Sequence, residues 1–490
     1  MKKMNLLVMS LVSAAALSFT SCSSNDDLEG NKADQAKVDQ FYMTLTVETP
    51  NASGTRTVQS NNYDATAAES KITSGTFFLM DSKNKIVFSK KVENLEWDKA
   101  GKTQLEIPVE DVIAGAEYKV YFLANADSND PLNGTFSTKA TDDNKFVGDY
   151  AKANNFAMFN ENDNKVNGNG YTVTFKDENK SKTNAAKVNE TIKLERVTAR
   201  IDQPTSEGAK IIAYPTDKDH KTSDYTAAEK KAMDDAVAKV EKIELTRYAI
   251  SNVANTTNIM QKWDNTQTKP QLLIPSSATG FKYIQPTDEF GTKTLFKNAV
   301  YFNAIVKDKN GKVTDEHKDY VFENNNDNEA TSMYFEYTVT LKDMTDADFA
   351  DGTFYRYNNI IYKSFDDIYK AYNDVEGLFS GKTAKEMKDL LTAAKNDKDV
   401  ESKLDEFRNT YKIEVFNCGK TYYKMAIRDQ FIGYANAIQR NTVYQLNVKN
   451  VFNIGAQVPN GTPDKDGLFY LDVEVSVNPW VLNSYDVDLK

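Results

Sequence analysis

An apolar ribbon at the C-terminus, residues 469–490, is the feature that most restricts how this 490-residue chain can fold. Apolar and polar residues alternate along it in two runs, which a Pro-Trp pair separates. The apolar residues of both runs, with the tryptophan between them, are Leu471, Val473, Val475, Val477, Trp480, Tyr485, Val487 and Leu489. Alternation with a period of two predicts two consecutive β-strands, each with one apolar face. Such a face needs a cover, which is either the chain's own sheet or another molecule.

A second alternating run lies near the other end of the chain, in residues 41–48. Its apolar residues, which share one face of the predicted strand, are Phe41, Met43, Leu45 and Val47. A short polar loop follows, and it contains a single basic residue, Arg56, directly before Thr57. Exposed loops of small and polar residues are preferred sites of proteolysis. The sequence therefore predicts a strand that precedes a cleavable loop.

The first residues have the pattern of a bacterial export signal. Two lysines precede an apolar stretch over residues 6–19, whose length is that of a signal peptide rather than of a membrane span. The residues that end at Cys22 resemble a lipobox, in which the cysteine is diacylated before the leader is removed. The acidic residues after Cys22 resemble the signal that sends Bacteroidetes lipoproteins to the outer face of the outer membrane. We expect residues 1–21 to be a signal peptide and Cys22 to carry lipid; the alternative is an ordinary secretory peptide with an incidental cysteine.

The remaining sequence predicts a mainly β protein with two domains. Short alternating runs separated by turns rich in Asn, Asp and Gly fill residues 57–203, a pattern typical of a sandwich or barrel. Proline and glycine then mark a boundary, so we assign residues 204–490 to the second domain. Capping-box spacings at Thr226 and within residues 362–410 predict short helices. The second group forms a small helical insertion in the second domain.

Composition and motif content argue against several classes of function. The chain has 60 basic and 71 acidic residues and a net charge of −11, whereas nucleic-acid binders normally carry a basic surface. Cys22 and Cys418 are its two cysteines, which leaves no disulfide framework in a chain whose Cys22 carries lipid. Histidines number two, no phosphate-binding glycine motif occurs, and the acidic loops lack EF-hand spacing. We expect no nucleic acid, no metal, no cofactor and no catalytic group.

Two minor features have alternative interpretations. Cys418 lies between strand-like runs, where a lone thiol is more often a packing residue than a nucleophile. Trp97, Trp263 and Trp480 could form a platform for a sugar, although isolated aromatic residues more often fill a core.

Motifs in both halves of the chain resemble a known family. Residues 439–448 contain an Arg-Asn-x-x-Tyr motif, and residues 473–480 end in Pro-Trp. Together they resemble the C-terminal region of Bacteroidetes major fimbrillins, the type V pilins, and are closest to the shaft subunit of Mfa-like short fimbriae. Residues 194–201, which lie in the strand that we predict over residues 191–201, resemble the strand that closes the N-terminal domain in that family.

The resemblance implies a fold of two tandem transthyretin-like β-sandwich domains and a route of assembly. Family members are exported as lipoproteins to the cell surface, and an arginine-specific protease then cuts them after the first strand. By position, the cut here lies between Arg56 and Thr57, so that residues 22–56 leave with the lipid and the strand. The ribbon 469–490 of another copy then fills the groove that the strand has left.

The resemblance thus predicts a structural subunit of a cell-surface fimbria, which polymerises by protease-triggered donor-strand exchange and supports adhesion. The expected partners are other copies in a head-to-tail fibre, accessory tip and anchor subunits, and the outer membrane before cleavage. Two questions stay open: whether residues 469–478 or 481–490 are donated, and whether the ribbon folds onto its own domain. The alternative function is a surface lipoprotein that binds glycans or acts as a tip adhesin and does not polymerise.

Overall fold

The structure of the protein, a computed structural model, covers most of the chain. It describes residues 39–50, 63–98, 101–137, 147–162, 170–214, 222–264, 266, 271–275, 283–284, 303–314, 316–326, 330–375, 377–429, 432, 436–459 and 470–482. The predicted signal peptide, Cys22, the Arg56–Thr57 bond and the second run of the ribbon lie outside the described residues. From Gln40 onward the described residues belong to one compact unit.

Strands make up most of the regular structure. The first fourteen are β1 (Phe41–Glu48), β2 (Tyr63–Ala65), β3 (Ser74–Met80), β4 (Ile86–Glu93), β5 (Lys102–Val109), β6 (Glu117–Ala124), β7 (Thr135–Ser137), β8 (Ala151–Lys152), β9 (Asn155–Phe156), β10 (Met158–Asn160), β11 (Thr172–Thr174), β12 (Ala186–Lys187), β13 (Ile192–Arg196) and β14 (Ala199–Asp202). The others are β15 (Lys210–Ile212), β16 (Val240–Ser251), β17 (Val253–Ala254), β18 (Thr256–Asn258), β19 (Lys262–Asp264), β20 (Gln271–Leu273), β21 (Tyr283–Ile284), β22 (Asn303–Ala304), β23 (Lys318–Val321), β24 (Ser332–Leu341), β25 (Phe354–Tyr357), β26 (Ile360–Tyr362), β27 (Glu414–Phe416), β28 (Lys420–Ala426), β29 (Thr442–Phe452) and β30 (Tyr470–Leu482).

Helices are fewer, and most of them lie in the second half. The α-helices within the described residues are α1 (Ala67–Ser70), α2 (Ala227–Ala238), α3 (Phe365–Tyr372), α4 (Ala384–Lys395) and α5 (Val400–Tyr411). Short 3₁₀ turns lie at Gly148–Tyr150, Asp177–Lys180, Lys182–Asn184, Thr222–Asp224 and Asn417–Gly419. The predicted mainly β fold is confirmed.

The first large sheet contains the N-terminal strand. Its order is β12-β1-β13-β10-β6-β3-β4, with β11 paired to β6 and β5 paired to β1. One face of this sheet buries an apolar core to which β1, β3, β5, β6 and β13 contribute. The side chains of β1 alternate between buried and half-buried positions, as its sequence pattern predicts.

Two further sheets pack face to face in the second half. The order of the second sheet is β2-β30-β29-β14-β23, with β15 paired to β29, and the order of the third is β22-β16-β24-β28. Tyr248, Phe335 and Tyr444, all fully buried, lie in the core between these two sheets. The same core takes in Phe78 and Tyr121 from the first sheet, so the two halves of the molecule share apolar contacts. The remaining strands form small sheets of two or three strands.

The predicted helical insertion is confirmed as α3, α4 and α5. Ser364 caps α3, and Thr383 forms a full capping box with Glu386 at the start of α4. A separate apolar core, which includes Phe365, Met387 and Leu404, joins the three helices. The predicted helix after Thr226 is also present as α2, and it begins with a capping box.

The strand predicted over residues 191–201 is divided in the structure. β13 ends at Arg196 in the first sheet, and β14 begins at Ala199 in the second. At the crossing, the Val197 N–H donates to the Ala157 carbonyl at 3.0 Å, and the Asn441 N–H donates to the Thr198 carbonyl at 2.8 Å. The backbone of Val197 and Thr198 therefore hydrogen-bonds to residues that directly precede a strand of each sheet, β10 in the first and β29 in the second. The prediction of one continuous strand is wrong. The chain passes between sheets within the motif, ahead of the predicted boundary at residue 204.

The described part of the ribbon is one strand where the sequence predicted a break. β30 runs through Pro479 and is antiparallel to β29 along most of its length. It then gains β2 as a parallel partner from Trp480 to Leu482. Among the described residues, β30 lies at the edge of the sheet up to Pro479. Proline is tolerated at such an edge because the N–H that it lacks is not needed for a ladder hydrogen bond.

Candidate assembly site

β1 occupies a slot inside the first sheet. It is antiparallel to β5 along its whole length and parallel to β12 and β13 on its other side. Its four alternating apolar side chains are at most 2 % exposed, and these are Phe41, Met43, Leu45 and Val47. Phe41 also packs edge to face against Phe175, with 5.5 Å between the ring centroids. The four residues predicted to form the removable strand therefore share one buried face.

β5 depends on β1 for its place in the sheet. Among the described residues, β5 forms ladder pairs with β1 alone. Neighbouring strands lie about 4.8 Å apart, so the gap left by β1 would be about 10 Å wide, the space for one strand. Both edges of that gap would present unpaired backbone N–H and C=O groups. The slot therefore accepts a single extended chain in place of β1.

One end of the slot carries a charged contact. Glu48 at the end of β1 pairs in register with Lys102 of β5 and with Lys193 of β13. Its Oε2 lies 3.6 Å from the Lys102 Nζ, and the residue is 5 % exposed. Lys102 and Lys193 thus lie beside Glu48 in the two neighbouring strands, and the Lys102 ammonium is in contact with its carboxylate.

The strands on either side of the predicted cut belong to different sheets. β1 lies in the first sheet, whereas β2, which follows Arg56 and Thr57 in the chain, pairs with β30 in the second sheet. A cut between Arg56 and Thr57 would therefore separate β1 from the rest of the chain and leave both β1 and β2 whole.

The first run of the ribbon is built into the chain's own second sheet. Leu471, Val473 and Val475 are half-buried and pack against the core between the second and third sheets. β30 places Val477 opposite Tyr444 of β29, although its side chain lies outside the described part. Tyr485, Val487 and Leu489 lie beyond the described residues. The structure thus places the first run of the ribbon in the chain's own second sheet, beside β29.

Trp480 anchors the end of β30 in the core of the first sheet. Its side chain is fully buried and stacks on Tyr320, with 5.7 Å between the ring centroids. The Arg196 guanidinium lies 4.2 Å from the centroid of the indole ring, and its Nη1 donates to the Trp480 carbonyl at 2.9 Å. A cation over a desolvated indole face stabilises the pair by about 2 kcal/mol.

A buried carboxylate links this anchor to the short helix after β2. Glu69 of α1 accepts hydrogen bonds from Arg200 at 3.1 Å and from the Tyr320 hydroxyl at 2.8 Å. It also closes a capping box with the Thr66 N–H at 2.7 Å. Arg196 donates to the Glu69 carbonyl at 2.9 Å, so both arginines of the crossing segment contact α1. We call Glu69, Arg196, Arg200, Tyr320 and Trp480 the anchor cluster.

The pKa values in the anchor cluster follow from burial and from the charges that face each other. Burial raises the pKa of Glu69, but the Thr66 N–H and the charge of Arg200 outweigh it and hold that pKa below its usual value. Burial lowers the pKa of Arg196 to about 9, and the charge of Glu69 partly opposes this. Burial and the neighbouring Glu69 raise the pKa of Tyr320. At neutral pH Glu69 is therefore ionised against two buried arginines.

The sequence analysis did not identify the anchor cluster. The spacing from Thr66 to Glu69 is that of a capping box, which was a usable signal for α1. Arg196 and Arg200 lie in a strand-like run that also contains Lys193 and Glu195, so their charge alone did not distinguish them as buried residues. The identity of their partners depends on contacts between distant parts of the chain.

The other candidates have structural roles in the described residues. Trp263 and Trp480 are buried in separate cores, and Trp97 donates its Nε1–H to the Ile72 carbonyl at 3.1 Å, so the three do not form a common platform. Burial and the nearby Asp351 raise the pKa of the Cys418 thiol, which disfavours the reactive thiolate. The described residues contain no cluster of three or more His, Cys, Asp or Glu residues arranged to hold a metal. They also contain no helix long and apolar enough to cross a membrane.

Comparison with known proteins gives matches to fimbrial proteins. Residues 42–196 match the family model of the major fimbrial subunit protein (FimA). Residues 414–486 match the model of the C-terminal region of fimbrillin, described as major fimbrial subunit protein type IV. No curated protein matches the chain.

Solved structures with a loosely similar fold are also fimbrial or adhesion proteins. A proposed cell adhesion protein from Parabacteroides distasonis is 11% identical, with 90% of this chain and 97% of that chain covered and a TM-score of 0.45. The tip fimbrial protein Mfa3 from Porphyromonas gingivalis, truncated at its C-terminus, is 10% identical over 90% of this chain and 100% of its own, with a TM-score of 0.34. The fimbrial anchor protein Mfa2 from the same organism is 8% identical over 91% of this chain and 100% of its own, with a TM-score of 0.28.

The two family matches carry the assignment. One contains β1 except for its first residue, together with the strands of the slot, and the other contains β29, β30 and the ribbon up to residue 486. The resemblance to major fimbrillins that the sequence showed is therefore confirmed, and the function of the chain is that of a structural subunit of fimbriae.

Proposed function

We propose that the chain is the precursor of a fimbrial subunit and that it polymerises by protease-triggered donor-strand exchange. The observation that supports this most is the position of β1, which fills a slot between β5 and two parallel strands. Burial of its four apolar side chains is worth about 6–12 kcal/mol before ordering costs. A strand from another subunit could regain the same contacts after β1 has left.

Cleavage between Arg56 and Thr57 is the proposed trigger. It leaves β1 attached only by non-covalent contacts, while β2 stays paired with β30 and α1 stays bound to Arg196 and Arg200. β2 and α1 thus keep their contacts with the rest of the molecule, and the slot in the first sheet becomes available.

The second run of the ribbon is the proposed donor. Donation of the first run would require β30 to leave β29, with loss of the buried Trp480 and its contacts to Arg196. Residues 483–490 contain Tyr485, Val487 and Leu489 at a spacing of two, which suits the alternate pockets of the slot. Donation from one subunit to the next does not close on itself, so it produces a fibre.

The remaining parts of the proposal concern location and partners. Lipid on Cys22 would hold the precursor in the outer membrane until residues 22–56 are removed. The mature subunit would then join a cell-surface fimbria whose ends carry tip and anchor subunits, and the fibre would support adhesion. The role is structural and not catalytic, in keeping with the raised pKa of the Cys418 thiol.

Limited digestion with an arginine-specific protease tests the proposal. A precursor without the leader should acquire a new N-terminus at Thr57, form SDS-resistant ladders and show fibres in negative-stain micrographs. The matched control is Arg56→Ala, which should remain monomeric under the same digestion. Monomer that persists after complete cleavage would contradict the assembly mechanism. Such a monomer, if it also bound a glycan array, would favour the non-polymerising surface lipoprotein.

A further inference from the structure

We propose that Arg196 carries the tension of the fibre from the strand that a subunit receives to the strand that it donates. This inference rests on the proposed donor-strand exchange. It adds a mechanical role for the contact between Arg196 and Trp480, and it predicts which parts of the subunit carry force and which do not.

β13 lies between the received strand and the root of the donated one. At its start, Ile192 and Lys193 pair in register with the end of β1, so they would flank a strand that replaces β1 in the slot. At its end, Arg196 contacts Trp480, just before the proposed donor residues 483–490. The five residues of β13 span about 13 Å. A subunit in a fibre therefore has a short route for force through one strand.

One apolar core joins the two ends of this route. It contains the four buried side chains of β1 together with Trp480, which belongs to a strand of the second sheet. Phe156 of the same core packs edge to face against the Trp480 indole, with 5.6 Å between the ring centroids. Withdrawal of either strand would expose apolar surface of this core to water, which opposes the movement.

The guanidinium of Arg196 is fully buried and holds the backbone on both sides of the root. Its Nη1 donates to the Trp480 carbonyl at 2.9 Å and to the Asn441 Oδ1 at 3.1 Å. Its Nε donates to the Glu69 carbonyl at 2.9 Å, and its Nη2 donates to the Ser70 hydroxyl at 3.1 Å. Glu69 and Ser70 lie in α1, which follows β2, the strand that pairs with Trp480. Withdrawal of the root would therefore remove acceptors from a buried cation, which is costly.

Most of the second domain lies outside this route. The third sheet and the helical insertion come between β14 and β29 in the chain, and neither contributes a described residue to the core that contains Trp480. The insertion has a core of its own, and its helix α5 carries Arg408, another buried arginine. Like Arg196, Arg408 donates to a backbone carbonyl, that of Val415, at 2.7 Å. Arg408 is therefore the matched control for a substitution of Arg196.

Forced extension of the intact precursor tests the inference without any strand exchange. The protein is the Arg56→Ala precursor without its leader, tethered at its two termini in optical tweezers. β1 then represents the strand received from another subunit, and the pull at the C-terminus represents the pull of the next subunit. The measured quantity is the rate of the first rupture at a fixed force, because forced unfolding is governed by the unfolding rate.

The three variants have different expected rates. Arg196→Met should raise the rupture rate about a hundredfold, because the root then leaves without breaking hydrogen bonds to a buried cation. Trp480→Phe keeps an aromatic ring in the core and should raise the rate about tenfold, so this variant decides the question if Arg196→Met does not fold. Arg408→Met should lower the midpoint of denaturation in guanidinium chloride and leave the rupture rate unchanged.

The outcomes separate the inference from the proposed function. A rupture rate that stays the same in Arg196→Met and in Trp480→Phe would overturn the inference. Equal acceleration by Arg196→Met and Arg408→Met would also overturn it, because the whole fold would then resist the force. Neither result contradicts the exchange itself, which fails if the cleaved wild-type chain forms no SDS-resistant ladders.

Discussion

Replacement of Glu69 by glutamine removes the charge that faces two buried arginines and leaves the shape of the side chain nearly unchanged. Glu69 and Arg200 are 3 % and 1 % exposed in their side chains, and their closest atoms are 3.1 Å apart. Loss of one partner of a buried pair costs about 3–5 kcal/mol. Arg200 retains Asp202, whose Oδ1 lies 2.6 Å from its Nε, and glutamine can still accept from Tyr320. We therefore expect the lower value, about 3 kcal/mol.

Unfolding in guanidinium chloride, followed by tryptophan fluorescence, measures the effect, since Trp480 stacks on Tyr320 within the anchor cluster. The matched control is Glu229→Gln, which alters the same type of capping box at the exposed start of α2. Its effect should be much smaller, because Thr226 and Glu229 lie at the surface. Equal effects of the two substitutions would refute the anchor cluster as a stabilising feature.

The pH dependence of the same variant gives a second readout. The pKa of Glu69 is lowered in the folded state from its ordinary value of 4.5. Its contribution is therefore complete above pH 4.5 and disappears as the pH falls through the lower, folded value. Wild type should lose stability relative to Glu69→Gln over this acidic range. Parallel stability profiles for the two proteins below pH 4.5 would show that Glu69 is not held in its ionised form.

Three further predictions concern the strand, the tail and a half-buried lysine. Leu45→Ala should weaken the docking of β1 by about 2–5 kcal/mol, because it leaves a cavity in a fully packed pocket. Hydrogen exchange of the β1 amides should accelerate as a result. The control Thr44→Ala changes a half-buried position and should alter this exchange little. Deletion of residues 483–490 should leave circular dichroism unchanged and abolish fibres, whereas fibres from this variant would place the donor elsewhere. Burial lowers the pKa of Lys424 from 10.5 to about 8, so the stability of the folded protein should increase as the pH is raised from 8 to 10.5. Denaturation midpoints measured over this range should show the increase in the wild type and not in Lys424→Met. An increase that persists in Lys424→Met would assign the effect to another group.

Features that depend on local sequence could be predicted. The alternation in residues 41–48 predicted β1 and its buried face because side chains of a strand point to opposite sides in turn. The capping boxes at Thr226 and Thr383 predicted the starts of α2 and α4, since a cap involves residues three positions apart. The start of α5 had no such signal, because its N-cap residue Asp399 makes no side-chain hydrogen bond to the helix.

Features that depend on distant contacts could not be predicted. Alternation does not reveal which strands lie beside β1, or that two of them are parallel to it. The division between Arg196 and Ala199 depends on hydrogen bonds to Asn441, far along the chain. The continuation of β30 through Pro479 likewise depends on β2, which becomes its partner at Trp480. Local pattern thus located the elements of the assembly site, and the pairing of those elements came from tertiary structure.

Hydrogen exchange of β5, residues 102–109, tests the central claim most directly, because β5 pairs with β1 alone among the described strands. Its amides should exchange slowly in the intact precursor, rapidly in a cleaved chain that lacks residues 483–490, and slowly again in the cleaved full-length chain, where the tail of another subunit fills the slot. Rapid exchange of β5 in the cleaved full-length chain, or continued slow exchange in the cleaved chain without the tail, would contradict the exchange of β1 for a donor strand.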